Sequence, residues 1–157
     1  MTHHYSILFL LAAASIASAQ KRDVKIHNPP TLSKPTGYSH IAEVNSGKLV
    51  YIAGQIAVDK DGTLVGKDDF AKQVRQVFEN LTAATKAAGG SMNDIIKLNY
   101  YISEAVDRNQ VPVLREIRAG FLTTATPPAS TLLFVKGLAS ADYLIEIEAV
   151  AVIGTAK

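Results

Sequence analysis

The chain contains no cysteine. Disulfides, thiolate catalysis and cysteine-ligated zinc or iron–sulfur centres are therefore excluded. Histidine is nearly as scarce. Beyond the first residues only His27 and His40 occur, and their spacing matches no metal-ligand pattern, so no metal site is expected. A Gly-Lys-Ser/Thr phosphate loop and a dinucleotide glycine fingerprint are both absent. Gly89-Gly90 follows a helical pattern where a phosphate cradle would have to precede one. Ser130 stands in Pro-Pro-Ala-Ser-Thr, outside any G-x-S-x-G elbow and with no histidine base in view, which argues against a serine nucleophile. Charge of one sign is also lacking. The net charge is +2 and the basic residues are dispersed, so neither a nucleic-acid groove nor a polybasic membrane patch is expected.

What is present is the composition of a globular domain. With 157 residues, 48% of them hydrophobic, the chain can bury one core. The apolar run Ile7–Ala14 (ILFLLAAA) is too short to span a bilayer. It leads into Ala17-Ser18-Ala19 before Gln20, small residues at the positions where a secretory signal is cleaved. We read residues 1–19 as a signal peptide and 20–157 as the mature domain, which implies a secreted or periplasmic protein.

The prolines and glycine of residues 28–37 mark a loop. Strands are expected over Ile41–Asn45 and Leu49–Ile56, with Gly54 indicating a bulge or a close backbone approach. Phe70, Val74, Val77, Phe78, Leu81 and Ala84 recur at spacings of three and four and define a helix over about 68–88. Asp68 or Asp69 starts this helix and Gly89-Gly90 ends it. A strand over 94–103, a helix over 110–122, and strands over 129–135 and 143–153 follow. The order is β-β-α-β-α-β-β in a single α+β domain, with two helices on one face of the sheet. The other face then needs a partner, and oligomerisation is the simplest one. Asn80-Leu81-Thr82 is a formal glycosylation sequon, but it falls mid-helix.

The most informative segment is the last strand. Side chains alternate faces along a strand, so Glu146 and Glu148 share one side with Val150 and Val152. Ile145, Ile147, Ala149 and Ala151 form an apolar opposite side. Two carboxylates about 7 Å apart need a solvated or paired setting, because burying an unpaired charge is costly. They serve either as a catalytic acid/base and its neighbour or as ion-pairing residues of an interface.

Several stretches together resemble the Rid family of imine/enamine deaminases, the YjgF-type proteins. They are Pro35-Thr36-Gly37-Tyr38, Ile52-Ala53-Gly54-Gln55-Ile56, Ala87-Ala88-Gly89-Gly90, Asp94-Ile95-Ile96-Lys97, Pro128-Ala129 and Ile145 through Ala151. The similarity runs over roughly Ile26–Ile153. It implies a chorismate-mutase-like α+β fold, a homotrimer, and a small-molecule cleft between subunits. It implies no cofactor. By the same resemblance Glu146 positions the attacking water, while Tyr38, Ala53, Gly54, Gln55 and Ser130 take the substrate-binding positions. Two departures stand out: the family's pocket serine is Ala53 here, and its carboxylate-binding arginine is Ser130. Serine supplies neither the charge nor the bidentate fork of a guanidinium. Arg115, Arg118 or Lys136 of a neighbouring subunit are alternative sources of positive charge.

The expected function is thus an exported small-molecule-binding protein with a modified imine or enamine hydrolase activity. The alternative is a non-enzymatic ligand-binding or interaction protein on the same trimeric fold. A ribonuclease role, attached to some relatives, is disfavoured by the export signal and the absence of a basic stripe.

Overall fold

A computed structural model describes residues 21–123 and 125–154. The expected signal peptide lies outside the described residues. Among these described residues six strands and two α-helices form: β1 Asp23–His27, β2 Ile41–Ser46, β3 Lys48–Gln55, α1 Phe70–Ala87, β4 Ile95–Ser103, α2 Val111–Ala119, β5 Ala129–Val135 and β6 Ile145–Ile153. The mixed α+β class and the order of the expected elements hold. The addition is β1, which the sequence reading left unassigned. It has only two apolar residues, Val24 and Ile26, and exists by pairing antiparallel with β2.

The main sheet has the strand order β3-β6-β4-β5, with β4 and β5 parallel and the other pairs antiparallel. The β1-β2 ribbon is a separate sheet. It crosses the end of the main sheet where β4 and β5 begin. Arg22, just before β1, pairs with Asp94 at 2.9 Å, and Ser39 bridges to Ala129.

α1 is started by Asp69, whose side chain accepts from the Lys72 amide. It ends in a Schellman arrangement: Gly90 N–H reaches Thr85 O, Gly89 N–H reaches Lys86 O, and Gly89 has φ +92°. Its apolar stripe buries Phe70, Val74, Val77, Phe78 and Leu81. These pack on Leu98, Tyr100 and Ile102 of β4 and on Ile145, Ile147, Ala149 and Ala151 of β6. From Ile145 to Ala151 the two faces of β6 divide as its alternation requires, while Val152, on the Glu146 side by alternation, is buried. Both helices belong to this core, and the opposite face of the sheet is left open. Tyr51 is 77% exposed there, with Leu49 and Leu133 also exposed. No described helix is long and apolar enough to cross a membrane.

Candidate functional site

Two polar constructions occupy the open face of the sheet. The first is a corner where β3 meets β6. Ile52 pairs with Ala149 but Gln55 pairs with Ile147, so β3 carries one residue more than β6 over this step. Ala53-Gly54 is that bulge. The Glu146 side chain lies against the bare Gly54 backbone. A β-carbon at Gly54 would stand 1.9 Å from Glu146 Oε1, and 2.7 and 2.9 Å from its Cδ and Cγ. Glycine is thus required by space here, and both expectations for Gly54, a bulge and a close approach, are met. Among the described residues no hydrogen bond or salt bridge engages the Glu146 carboxylate. Gln55 turns back on its own strand, donating to Ala53 O at 3.0 Å.

The corner is held from beneath by two amide side chains of α1. Gln73 is fully buried; its Oε1 accepts from Leu144 N–H at 2.9 Å and its Nε2 donates to Asp142 O at 2.8 Å. This fixes the chain two residues before Glu146. Asn80 donates to Ile56 O at 3.0 Å and Val58 O at 2.8 Å, fixing the chain just after Gln55. Seven residues are about two helical turns, so both amides project from one side of α1. Neither was singled out from sequence as a site residue. The visible signal was a glutamine interrupting the apolar stripe. Asn80, the sequon residue, is committed to these backbone bonds.

The second construction is a row across β4, β5 and β6. Tyr101 Oη donates to Glu148 Oε1 at 2.8 Å, and Asn99 Nδ2 donates to the same oxygen. These bonds hold the Glu148 carboxyl below its ordinary pKa, with Lys97 adding a smaller attraction. The Glu148 bond in turn pushes the Tyr101 hydroxyl up. Lys97 Nζ donates to Thr131 Oγ1 at 2.8 Å, and partial burial lowers its pKa. A hollow of about 460 Å3 lies over this row, lined by Tyr51, Ala53, Lys97, Asn99 and Glu148 among others.

The remaining expected site residues lie elsewhere. Ser130 pairs with Leu98, a core residue, so its side chain belongs to the helix side of β5. Glu146 pairs with Tyr101, on the open side. The two are about 10 Å apart along the strands and about 10 Å apart across β4. Within one chain Ser130 does not face Glu146. Tyr38 lies near the start of β5, edge-on to His40 with ring centroids 5.3 Å apart. It borders a cleft of about 570 Å3 together with Pro29, Pro35, Gly37 and Pro127. The expected residues therefore form two groups, Ala53-Gly54-Gln55-Glu146 by edge strand β3 and Tyr38-Ser130 by edge strand β5.

Among the alternative cations, Lys136 is exposed and paired with Glu104 at 3.2 Å, and Arg115 is exposed. Arg118 on α2 is half-buried, and no salt bridge engages it among the described residues. No cluster of three metal-binding side chains occurs among the described residues.

Comparison with known proteins gives a consistent answer. The family model described as Endoribonuclease L-PSP matches residues 31–153. A RutC family protein of Pyrococcus horikoshii is 41% identical over 120 residues, covering 75% of this chain and 89% of the relative. The 2-iminobutanoate/2-iminopropanoate deaminase of Salmonella typhimurium is 33% identical over 134 residues, covering 83% and 97%. Among solved structures, a conserved Rid-family protein of Yersinia pestis superposes with a TM-score of 0.76 at 34% identity, covering 83% of this chain and 98% of that one.

Proposed function

We propose a function from the premise that this chain belongs to the Endoribonuclease L-PSP family, the family of the Rid, YjgF and RutC proteins: it binds a small imine or enamine in a cleft between subunits and hydrolyses it. The observation that carries the reading is the Gly54–Glu146 corner. The side chain rests on Gly54 on a strand anchored by Gln73, yet among the described residues the carboxylate has no hydrogen-bond or salt-bridge partner. Such a group can accept a proton from water. The water oxygen attacks the imine carbon, the nitrogen takes up the proton that Glu146 has received, and collapse of the tetrahedral adduct releases ammonia and a ketone. One water is consumed and no electrons are exchanged, so the step needs no cofactor.

The split of the expected residues between two sheet edges supports a shared site. A ring of copies that sets the β5 edge of one chain against the β3 edge of the next brings Tyr38 close to Glu146. Such a head-to-tail contact closes as a cyclic oligomer, and three copies is the expected number. The open sheet face, with Tyr51 and Leu133 exposed, is then covered from within. Light scattering and intact mass on protein from the native host read this assembly and export together. The expected results are three times the monomer mass and a mature start at Gln20. A stable monomer would exclude a shared site.

The activity is tested by following the decay of 2-iminobutanoate generated from an amino acid by an oxidase. Wild type is expected to accelerate decay, and Glu146→Gln to lose about 10²-fold or more of that acceleration, the usual scale for a general base. An undiminished Glu146→Gln enzyme defeats this assignment. The competing reading, a binding protein without catalysis, predicts ligand binding with no acceleration in either form.

A further inference from the structure

Among the described residues, a cation without a salt bridge, Arg118, lies beside a buried hydroxyl without a hydrogen-bond partner, that of Tyr100. Arg118 projects from α2 toward the loop before β2. A β-carbon on Gly37 would stand 2.8 Å from Arg118 Nη2, so the guanidinium lies directly against the Gly37 backbone. Gly37 has φ +75°, which a larger residue rarely adopts, and the turn is therefore open to the guanidinium for two independent reasons. The Tyr100 hydroxyl is buried nearby with no hydrogen-bond partner among the described residues. Burial raises its pKa, and the neighbouring Arg118 guanidinium opposes that. An unpaired buried hydroxyl and an unpaired half-buried guanidinium are each costly in isolation. Their juxtaposition leaves the guanidinium fork free to engage something else.

A niche of about 60 Å3 opens at this point, lined by Arg118, Gly37, Leu122, Thr123, Pro127 and Pro128 with Ala119. That is about the liquid volume of two waters, close to the size of one carboxylate group. Its lining carries a single positive charge, which matches a monoanion and leaves a dianionic phosphate half neutralised. Gly37 and Pro127 also line the larger cleft beside Tyr38, so the niche and the cleft adjoin.

We infer that Arg118 binds the carboxylate of a small organic acid in this niche, with the body of the ligand lying in the adjoining cleft. The cation then comes from α2, while Ser130 on β5 supplies no charge. The Tyr100 hydroxyl borders the guanidinium and limits its orientations, so it is a positioning residue. The inference rests on the proposed hydrolase reading only for the choice of a 2-oxo acid as probe.

Equilibrium binding of 2-oxobutanoate and of its primary amide to the full-length protein tests this without any turnover. Wild type is expected to prefer the acid by about tenfold or more, the scale of one charge-assisted pair. Arg118→Gln should remove that preference, Arg118→Lys should keep part of it, and Tyr100→Phe should weaken acid binding less than Arg118→Gln does. Lys136→Gln, which removes an exposed cation paired with Glu104 away from the niche, should bind the acid as wild type does. Equal binding of acid and amide by wild type overturns the inference, even where Arg118→Gln fails to fold. So does an Arg118→Gln variant that folds and retains the preference. The two readings fail separately. Acid binding through Arg118 without imine hydrolysis leaves the niche standing and removes the hydrolase. Hydrolysis whose KM ignores Arg118→Gln does the reverse.

Discussion

Glu146 and Glu148 sit two residues apart on one strand and face the same way, yet their surroundings are opposite. Glu148 is consumed. Asn99 and Tyr101 both donate to one of its oxygens, and these bonds hold it ionised. Glu146 is positioned but not consumed. Its backbone is anchored through Gln73 and its side chain rests on Gly54, while no described donor engages the carboxylate. A carboxylate that receives side-chain donors contributes to structure. One that is held by shape alone keeps its lone pairs for a water or a ligand. The corner and the row thus divide two tasks that the sequence, with its repeated Ile-Glu, presents as one.

The largest effect that can break this division comes from adding one methyl group. Gly54→Ala places a carbon where the Glu146 carboxylate now lies, and the overlap extends back to Cγ, so the whole side chain must leave. Imine decay is expected to slow by about 10²-fold, approaching the loss from Glu146→Gln, because general-base catalysis depends on placement. The melting temperature should change by only a few degrees, since a flexible side chain moves while the strands stay. Full activity in Gly54→Ala would detach catalysis from the corner. A collapse of the melting temperature would instead make the close approach a packing requirement.

The fold was legible where the sequence has long periodic runs. The 3.6-residue stripe of α1, the alternation of β6 and the Asp69 and Gly89 signals lie close in sequence and need no tertiary information. β1 was not legible, because two apolar residues in five form a strand only once β2 is beside them. At the site, Gly54 announced itself as a glycine inside a strand. The contributions of Gln73 and Asn80 were hidden: an amide in a helix shows what it binds only when the partner strand ends arrive, more than twenty residues away in sequence. The placement of Ser130 on the helix side of β5 depends on parallel pairing with β4. The start of β5 after Thr126-Pro127-Pro128 was readable from sequence, but its register was not. For the same reason Arg118, one of three interchangeable cations in the sequence, became distinct only when Gly37 and Tyr100 were placed against it.

The smallest expected effect sharpens the comparison from the side of the row. Glu148→Gln keeps the size of the side chain and an oxygen that accepts from Tyr101, but removes the charge. At neutral pH the expected cost is about 1 kcal/mol, the difference between a charged and a neutral acceptor. The sign of its pH dependence follows from the direction of the shift. The folded-state pKa of Glu148 lies below its ordinary value of 4.5. The folded protein therefore binds fewer protons at this group than the unfolded chain does. Its stabilisation is fully present above that ordinary value and is lost as pH falls through the lowered folded-state pKa. Urea unfolding of wild type and Glu148→Gln should accordingly differ most at neutral pH, and the two should converge as the acid limb is descended. Imine decay in Glu148→Gln should stay within about twofold of wild type, since the residue is committed to Asn99 and Tyr101. A stability difference that persists unchanged at low pH would show that Asn99 and Tyr101 do not hold Glu148 ionised. A loss of activity as large as that of Glu146→Gln would move the proposed catalytic role from the corner to the row.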